Sequence, residues 1–501
     1  MEKKLDLLLV TPPSKDSVFQ ELGKNFAAIE PPVWSTLMAM FIRRRGYSVA
    51  ILDAEADCLG YDETARHIIE RDAHLTVFSV YGHQPSASTQ CMPAGRSVCE
   101  RVKTGAPKLH TLILGTHASA LPERTLKEEP YTFVCEGEGP YTISGLLEVL
   151  KAGSKKFQTV PGLWYMENDG ICHNPPAANI KNLDEEIPGQ AWDLLDMTKY
   201  RAHNWHCFDH IDFRQPYASL QTSLGCPYTC SFCCINAPFG GSSIRYWSPK
   251  SVVDQIDILV NKYSVKNIKI PDEMFVLSEQ HVMGICDLII ERGYDLNIWA
   301  YARVDTVKDR YLEKLKRAGF NWLALGIESG SKYVRDGVEK GRFGDTDIVR
   351  VTDKIKEYGI YIIANYIFGL PDDTHESMQE TLDLAIKINA EWANFYCAMS
   401  YPGSPLYDRA RKLGLPLPDD ENGPGWIGYS QHAYESLPLP TDKLTSSEVL
   451  DFRDSAFIKY FTHPEFLSMT KGKFGQKVVH HIHEMLAIKV RRKHNDVANI
   501  V

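Results

Sequence analysis

Six short apolar runs, separated by helical stretches, fill the chain between Tyr217 and Ser400. They read YASLQTSLG, VKNIKIPD, LNIWAYA, WLALGIES, IYIIANYIFG and ANFYCAMS, with segments such as SPKSVVDQIDILVNKY and RYLEKLKRAGF between them. Strands that alternate with helices build a parallel sheet covered by those helices. Six units are more than a small open domain needs and fewer than the eight of a closed barrel. The pattern therefore predicts a partial (β/α)6 barrel over residues 216–410, with its chemistry at the C-terminal ends of the strands.

A second α/β alternation comes first. KLDLLLVTPP, SVAILDA, HLTVFSV, KLHTLILG and YTFVCEG are its strands. They predict a doubly wound, Rossmann-like α/β domain over 1–155, whose ligand would sit in the loops after the strands. Those loops are Thr11–Ser14, Tyr81–Ser88, Gly115–Ser119 and Glu136–Gly139. Residues 156–215 are rich in Pro, Asn and Asp and include the hairpin-like LWYMENDGICHN, which reads as a linker. Residues 411–501 read as a mainly helical cap, preceded by Pro-rich irregular chain.

The formal net charge of −9 and a pI near 6.0 argue against a broad nucleic-acid surface. KVRRKH, near the C-terminus, reads as a solvated helix end. No apolar run approaches the roughly 18–20 residues of a membrane span. MEKKLDLLLVTPP reads as a first strand, since it lacks the apolar length and cleavage site of a signal. A cytoplasmic setting is expected, in which the twelve cysteines are thiols, metal ligands or core residues rather than a disulfide framework.

Directly after the first barrel strand comes SLGCPYTCSFCC. Cys226, Cys230 and Cys233 have the spacing C-x3-C-x2-C, and thiolates suit zinc or iron–sulfur centres. A closed structural zinc site needs four ligands, usually as two pairs, and the other cysteines are scattered singly. Three ligands with one open position suit a [4Fe–4S] cluster that binds a small molecule at its fourth iron. Cys234 reads as a packing residue beside them.

CPYTCSFC after a barrel strand resembles the radical S-adenosylmethionine (radical SAM) superfamily. The resemblance implies that SAM chelates the unique iron and is cleaved to a 5′-deoxyadenosyl radical, which removes hydrogen from an unreactive carbon. It also implies SAM contacts. Asp272 and Glu273 in IKIPDEMF would face the amino group, in place of the commoner Gly-Gly-Glu. Arg303 in WAYARVDTV would meet the carboxylate. Glu328 and Ser329 in GIESGS, and Asn365 at the end of strand five, complete the set. GTHASALPE, CEGEGPYTISGLLE, AWDLLDMTKY and RYWSPKSVVDQI are similar to the cobalamin-binding (class B) branch. D-x-H-x-x-G, the motif for cobalt ligation by His, is absent. His83, Ser86, Gly115, His117, Ser119 and Gly137 are the candidate cobalamin contacts.

The family resemblance implies an enzyme that methylates an unactivated carbon of a small molecule or lipid. The electron would come from a donor such as flavodoxin or ferredoxin. Oxidative ring cyclisation of a magnesium-porphyrin ester is the alternative reaction, and an iron–sulfur electron carrier the non-enzymatic one.

Overall fold

A computed structural model describes residues 4–82, 87–340 and 343–498. The first sheet contains β1 (Leu7–Thr11), β2 (Val49–Asp53), β3 (Leu75–Ser79), β4 (Thr111–Leu114) and β5 (Phe133–Cys135), all parallel. Their order is β2-β1-β3-β4-β5, so the winding reverses between β1 and β3. That reversal opens a crevice at the carboxyl ends of β1 and β3. Leu7–Val10 and Leu75, Val77 and Phe78 are fully buried, as expected of strands covered on both faces. The helix Val33–Arg43 lays Leu37, Met38, Phe41 and Ile42 on this sheet's side of the core.

The hairpin read above as linker belongs to this sheet. β6 (Leu163–Glu167) pairs antiparallel with β5, and β7 (Gly170–His173) with β6. Asn168 and Asp169 supply the left-handed turn, with φ of +49° and +60°.

The second sheet contains β8 (Tyr217–Ser219), a short antiparallel pair β9 (Ser223–Leu224) and β10 (Arg245–Tyr246) set apart from it, then β11 (Asn267–Ile270), β12 (Asn297–Arg303), β13 (Phe320–Glu328), β14 (Tyr361–Phe368) and β15 (Trp392–Cys397). β8 and β11–β15 lie side by side in chain order, all parallel, as a partial barrel. Trp205, delivered by the connection between the sheets, packs edge-on against Trp299 (5.2 Å) and Trp322 (5.6 Å).

Side chains of the connection join the two sheets. The Gln190 side chain donates to Thr36 Oγ1 (3.0 Å) and to the Ser219 carbonyl (3.2 Å). Arg245 of β10 forms a buried ion pair with Glu138 from the loop after β5. At the C-terminal end, the helices Ser446–Phe461, Pro464–Phe474 and Gln476–Leu486 lean on the last strands. Tyr460 donates to the Ala390 carbonyl (2.6 Å), and Phe474 meets Tyr361 edge-on (4.9 Å).

KVRRKH is not simply a solvated end. Arg492 is 2% exposed, pairs with Asp454 (2.8 Å) and donates to the carbonyls of Gln431 (2.6 Å) and Ala433 (3.2 Å). Burial of a cation this well partnered is what the motif's composition could not reveal. Among the described residues no helix is long and apolar enough to cross a membrane.

Candidate active site

The chain leaves β9 through Gly225, whose φ is +87°. A Cβ there would sit 2.3 Å from the Ser243 carbonyl oxygen, so only glycine lets the loop double back toward β10. Cys226, Cys230 and Cys233 follow. All three line one cavity of about 820 Å3. The Cys233 N–H donates to the Cys230 carbonyl (3.0 Å), and the loop is held from outside by Ser231 N–H on the Val338 carbonyl (3.2 Å). Cys234 is buried and off the cavity wall, consistent with packing. Burial pushes the Cys226 thiol up to about 11 and the Cys234 thiol to about 12. Among the described residues no three His, Cys, Asp or Glu groups converge as a single-ion site. A four-iron cluster is wider than one ion and takes its thiolates further apart, and the three thiols facing one open cavity fit that group.

The barrel strands present the remaining candidates at their ends. Glu273, just past β11, lines the cavity and makes no hydrogen bond among the described residues. Burial, aided by Asp272 and opposed by Lys269 and Lys340, pushes its carboxyl up to about 7. Glu328 ends β13 with φ +67°, a left-handed backbone rare for such a side chain. Its carboxylate pairs with Lys340 Nζ (2.7 Å). Burial opposes the Lys340 charge, but Glu328 and Cys230 more than restore it and raise its pKa. Gly326 makes room for this pair, since a Cβ there would lie 2.6 Å from the Glu328 carboxylate. Asn365 Nδ2 donates to the Leu325 carbonyl (3.2 Å), and its Oδ1 accepts from Asn394 (2.9 Å).

Arg303 is less available than its position in sequence implies. It grips Asp305 through Nε (3.0 Å) and Nη2 (3.1 Å), and Nη1 points to Cys230 Sγ (3.6 Å). Its guanidinium also covers the Tyr228 ring at 4.0 Å. It flanks the cysteine loop rather than offering a free fork.

Two candidates do not face the cavity. Asp272 is fully buried and accepts from Thr222 N–H (2.8 Å), Thr222 Oγ1 and Ser223 Oγ (2.6 Å), fastening β11 to β9. Ser329 is fully buried, bonded to Thr381 Oγ1 (3.2 Å) and accepting from Ser331 N–H (3.1 Å). In both cases the short polar side chain is consumed by local backbone and hydroxyl groups. Lys340, between a short helix and the next loop, carried no pattern in the sequence that marked it.

The cavity continues to the first sheet. Ser14 and Lys15 after β1, Glu55 after β2, and Gly82, Ala87 and Gln90 after β3 form its other wall. A smaller cavity of about 110 Å3 adjoins it at the crevice between β1 and β3 and shares Glu273. Thr11 Oγ1 and Tyr81 Oη, both on its lining, are buried without a hydrogen-bond partner among the described residues. Orphaned polar atoms at a switch-point crevice fit a large polar cofactor.

The expected cobalamin contacts that the structure describes line neither cavity. His83 and Ser86 lie outside the described residues. His117 is buried against Trp426 (4.4 Å) and Thr89 (3.2 Å), and burial pushes it down to about 3, so it is a neutral core histidine. Gly115 is required because a Cβ would meet the Val80 carbonyl at 2.3 Å. Ser119 Oγ accepts from Gly137 N–H (3.1 Å), and both sit where the first domain meets the loop beyond the cysteines, near Pro238. None of these four lines either cavity.

The comparisons match this division. Residues 220–385 match the radical SAM superfamily model and residues 22–147 the B12 binding domain model. The chain belongs to the cobalamin-binding radical SAM family. An uncharacterised methyltransferase of Pyrococcus horikoshii is 28% identical over 93% of this chain and 94% of its own. An anaerobic magnesium-protoporphyrin IX monomethyl ester cyclase of Rubrivivax gelatinosus is 25% identical over 91% of this chain and 78% of its own. In fold, this radical SAM chain superposes on the methyltransferase TsrM of Kitasatospora setae, solved with cobalamin and a [4Fe–4S] cluster. That match has a TM-score of 0.67 at 16% identity, covering 91% of this chain and 88% of TsrM. OxsB, solved with aqua-cobalamin and SAM, gives a TM-score of 0.68 at 16% identity, covering 96% of this chain and 71% of OxsB.

Proposed function

We propose that this chain is a cobalamin-dependent radical SAM methyltransferase that acts on an unactivated carbon of a small molecule. One observation carries the reading: the three thiols and the loops after β1, β2 and β3 share a single cavity. When bound there, the cluster would deliver one electron to SAM and the cobalamin would carry the methyl group.

The chain's own residues bind and orient. Cys226, Cys230 and Cys233 hold the cluster, and Arg303 fixes the loop from behind through Tyr228 and Cys230. Glu273, with no hydrogen-bond partner among the described residues, takes the amino group of SAM. The Glu328–Lys340 pair and Asn365 offer polar atoms to its ribose and carboxylate. Trp205 and its aromatic neighbours keep water out of the barrel below. An outside reductant, of the flavodoxin or ferredoxin kind, supplies the electron. The cyclase reading has weaker support, since that relative is matched at lower identity and over less of its length.

The test is anaerobic reconstitution with iron, sulfide and hydroxocobalamin, followed by SAM and a strong reductant. Formation of 5′-deoxyadenosine, together with S-adenosylhomocysteine that depends on cobalamin, is expected. Cys230→Ala is expected to lose both the iron and the products; a variant that keeps both would overturn the assignment.

A further inference from the structure

Resting on the reading above, the geometry points to a lipid-like substrate whose hydrocarbon body enters the cavity between the first domain and the C-terminal helices. Beyond the thiols, the cavity wall changes character. Val18, Leu22 and Phe26, from the segment after β1, share the lining with Phe457 and Met485 of the last helices and with Ile488 just beyond them. Deeper in, Trp299, Ile363 and Trp392 continue the apolar lining into the barrel. At the mouth, Ile458 is 55% exposed although it belongs to a helix that packs on the core.

Most of the charges on this wall are already matched. Lys269 pairs with Glu30 (2.8 Å), Lys340 with Glu328 (2.7 Å), Arg303 with Asp305 (3.0 Å) and Arg453 with Asp454 (2.8 Å). Among the described residues four charged side chains that line it have no ion pair, Glu55 among them, which accepts instead from Ser14 and from the Lys15 N–H. Glu273 sits beside the thiols, Lys15 at the first-domain loops, and Lys489 exposed at the rim. A substrate carrying phosphate or carboxylate groups along its body would leave water for the stretch beside Lys269, Arg303, Lys340 and Arg453, whose cations are already paired. An uncharged chain loses nothing there and gains by burial. Lys489, at the surface, is placed to meet an anionic head.

The probe is a fluorescent polyene fatty acid, titrated into the full-length, cluster-reconstituted protein without reductant. Saturable binding to one site is expected, with a short-chain acid and a sugar phosphate failing to compete. Leu22→Asp and, at the exposed mouth where folding is not at stake, Ile458→Asp are each expected to weaken binding at least about tenfold, equivalent to 1.4 kcal/mol. Absence of saturable binding, or equal binding by Ile458→Asp and wild type, would overturn the inference. So would displacement of the probe by hydroxocobalamin, which would give this wall to the corrin. Iron content and SAM cleavage, measured on the same samples, keep the two readings apart. A chain that cleaves SAM but ignores the probe loses only the lipid, and one that binds the probe but never cleaves SAM loses only the enzyme.

Discussion

Glu273 and Asp272 are neighbours in sequence with opposite fates, and the difference is made by what lies across from each. Asp272 meets three donors from Thr222 and Ser223 and is spent on them. Glu273 turns to the cavity with no donor among the described residues, and burial holds its carboxyl near 7 instead of the usual acidic value. An ammonium group bound there would require the charged form. With a raised carboxyl pKa, the free site is protonated below about pH 7, so binding must then expel a proton. SAM affinity is therefore expected to fall as pH drops through about 7 and to level off above it. Equilibrium binding to the reconstituted, unreduced protein checks this. Glu273→Gln is expected to bind more weakly at high pH and to flatten the profile. An unchanged profile would remove Glu273 from the SAM site.

The same contrast recurs at the level of elements. The β9–β10 ribbon closes a loop that holds every candidate ligand thiol, and its entry depends on one glycine. Gly225→Ala would drive a Cβ into the backbone oxygen of Ser243, which no rotamer change relieves. Gly240, in the same loop, also has positive φ (+69°), but a Cβ there meets nothing within 4 Å. Gly240→Ala should therefore cost only the backbone strain of about 1–2 kcal/mol and keep its iron. Gly225→Ala should lose most of its iron and sulfide after reconstitution, as read by metal analysis and visible absorption.

Such elements were largely legible in the sequence. Apolar runs of strand length, alternating with helices, mark the strands of both sheets, and C-x3-C-x2-C after a barrel strand marks the loop. What escaped was direction and long-range pairing. Ser329 and His117 stand at strand ends as a ligand contact would, yet Thr381 and Trp426, distant in sequence, claim them. Lys340 and Glu30 matter through partners that no local period predicts. The linker hairpin was visible as a hairpin, but its pairing with β5 depends on an edge that exists only in the folded sheet.

For the whole molecule, the cavity is built by three parts of the chain that must stay together, and the C-terminal strap is where they meet. Gln20, in the segment after β1, donates to the carbonyls of His432 (2.6 Å) and Arg491 (3.2 Å). Arg492 binds Asp454 on the helix Ser446–Phe461 and the carbonyls of Gln431 and Ala433. Met485, Ile488 and Val490 thereby stay on the cavity wall. Removing one partner of a buried, hydrogen-bonded pair leaves the other groups unpaired, so Arg492→Leu is expected to lower stability by about 3 kcal/mol. Its neighbour offers the control. Arg491 is exposed and pairs with Asp496 at the surface, so Arg491→Ala should change stability by no more than about 0.5 kcal/mol. Denaturant midpoints measure both. Limited proteolysis at Lys489 locates the effect, because a strap that opens locally is cut before the core unfolds. If Arg492→Leu lowered the midpoint without speeding cleavage at Lys489, the arginine would support the fold in general rather than hold the strap over the cavity.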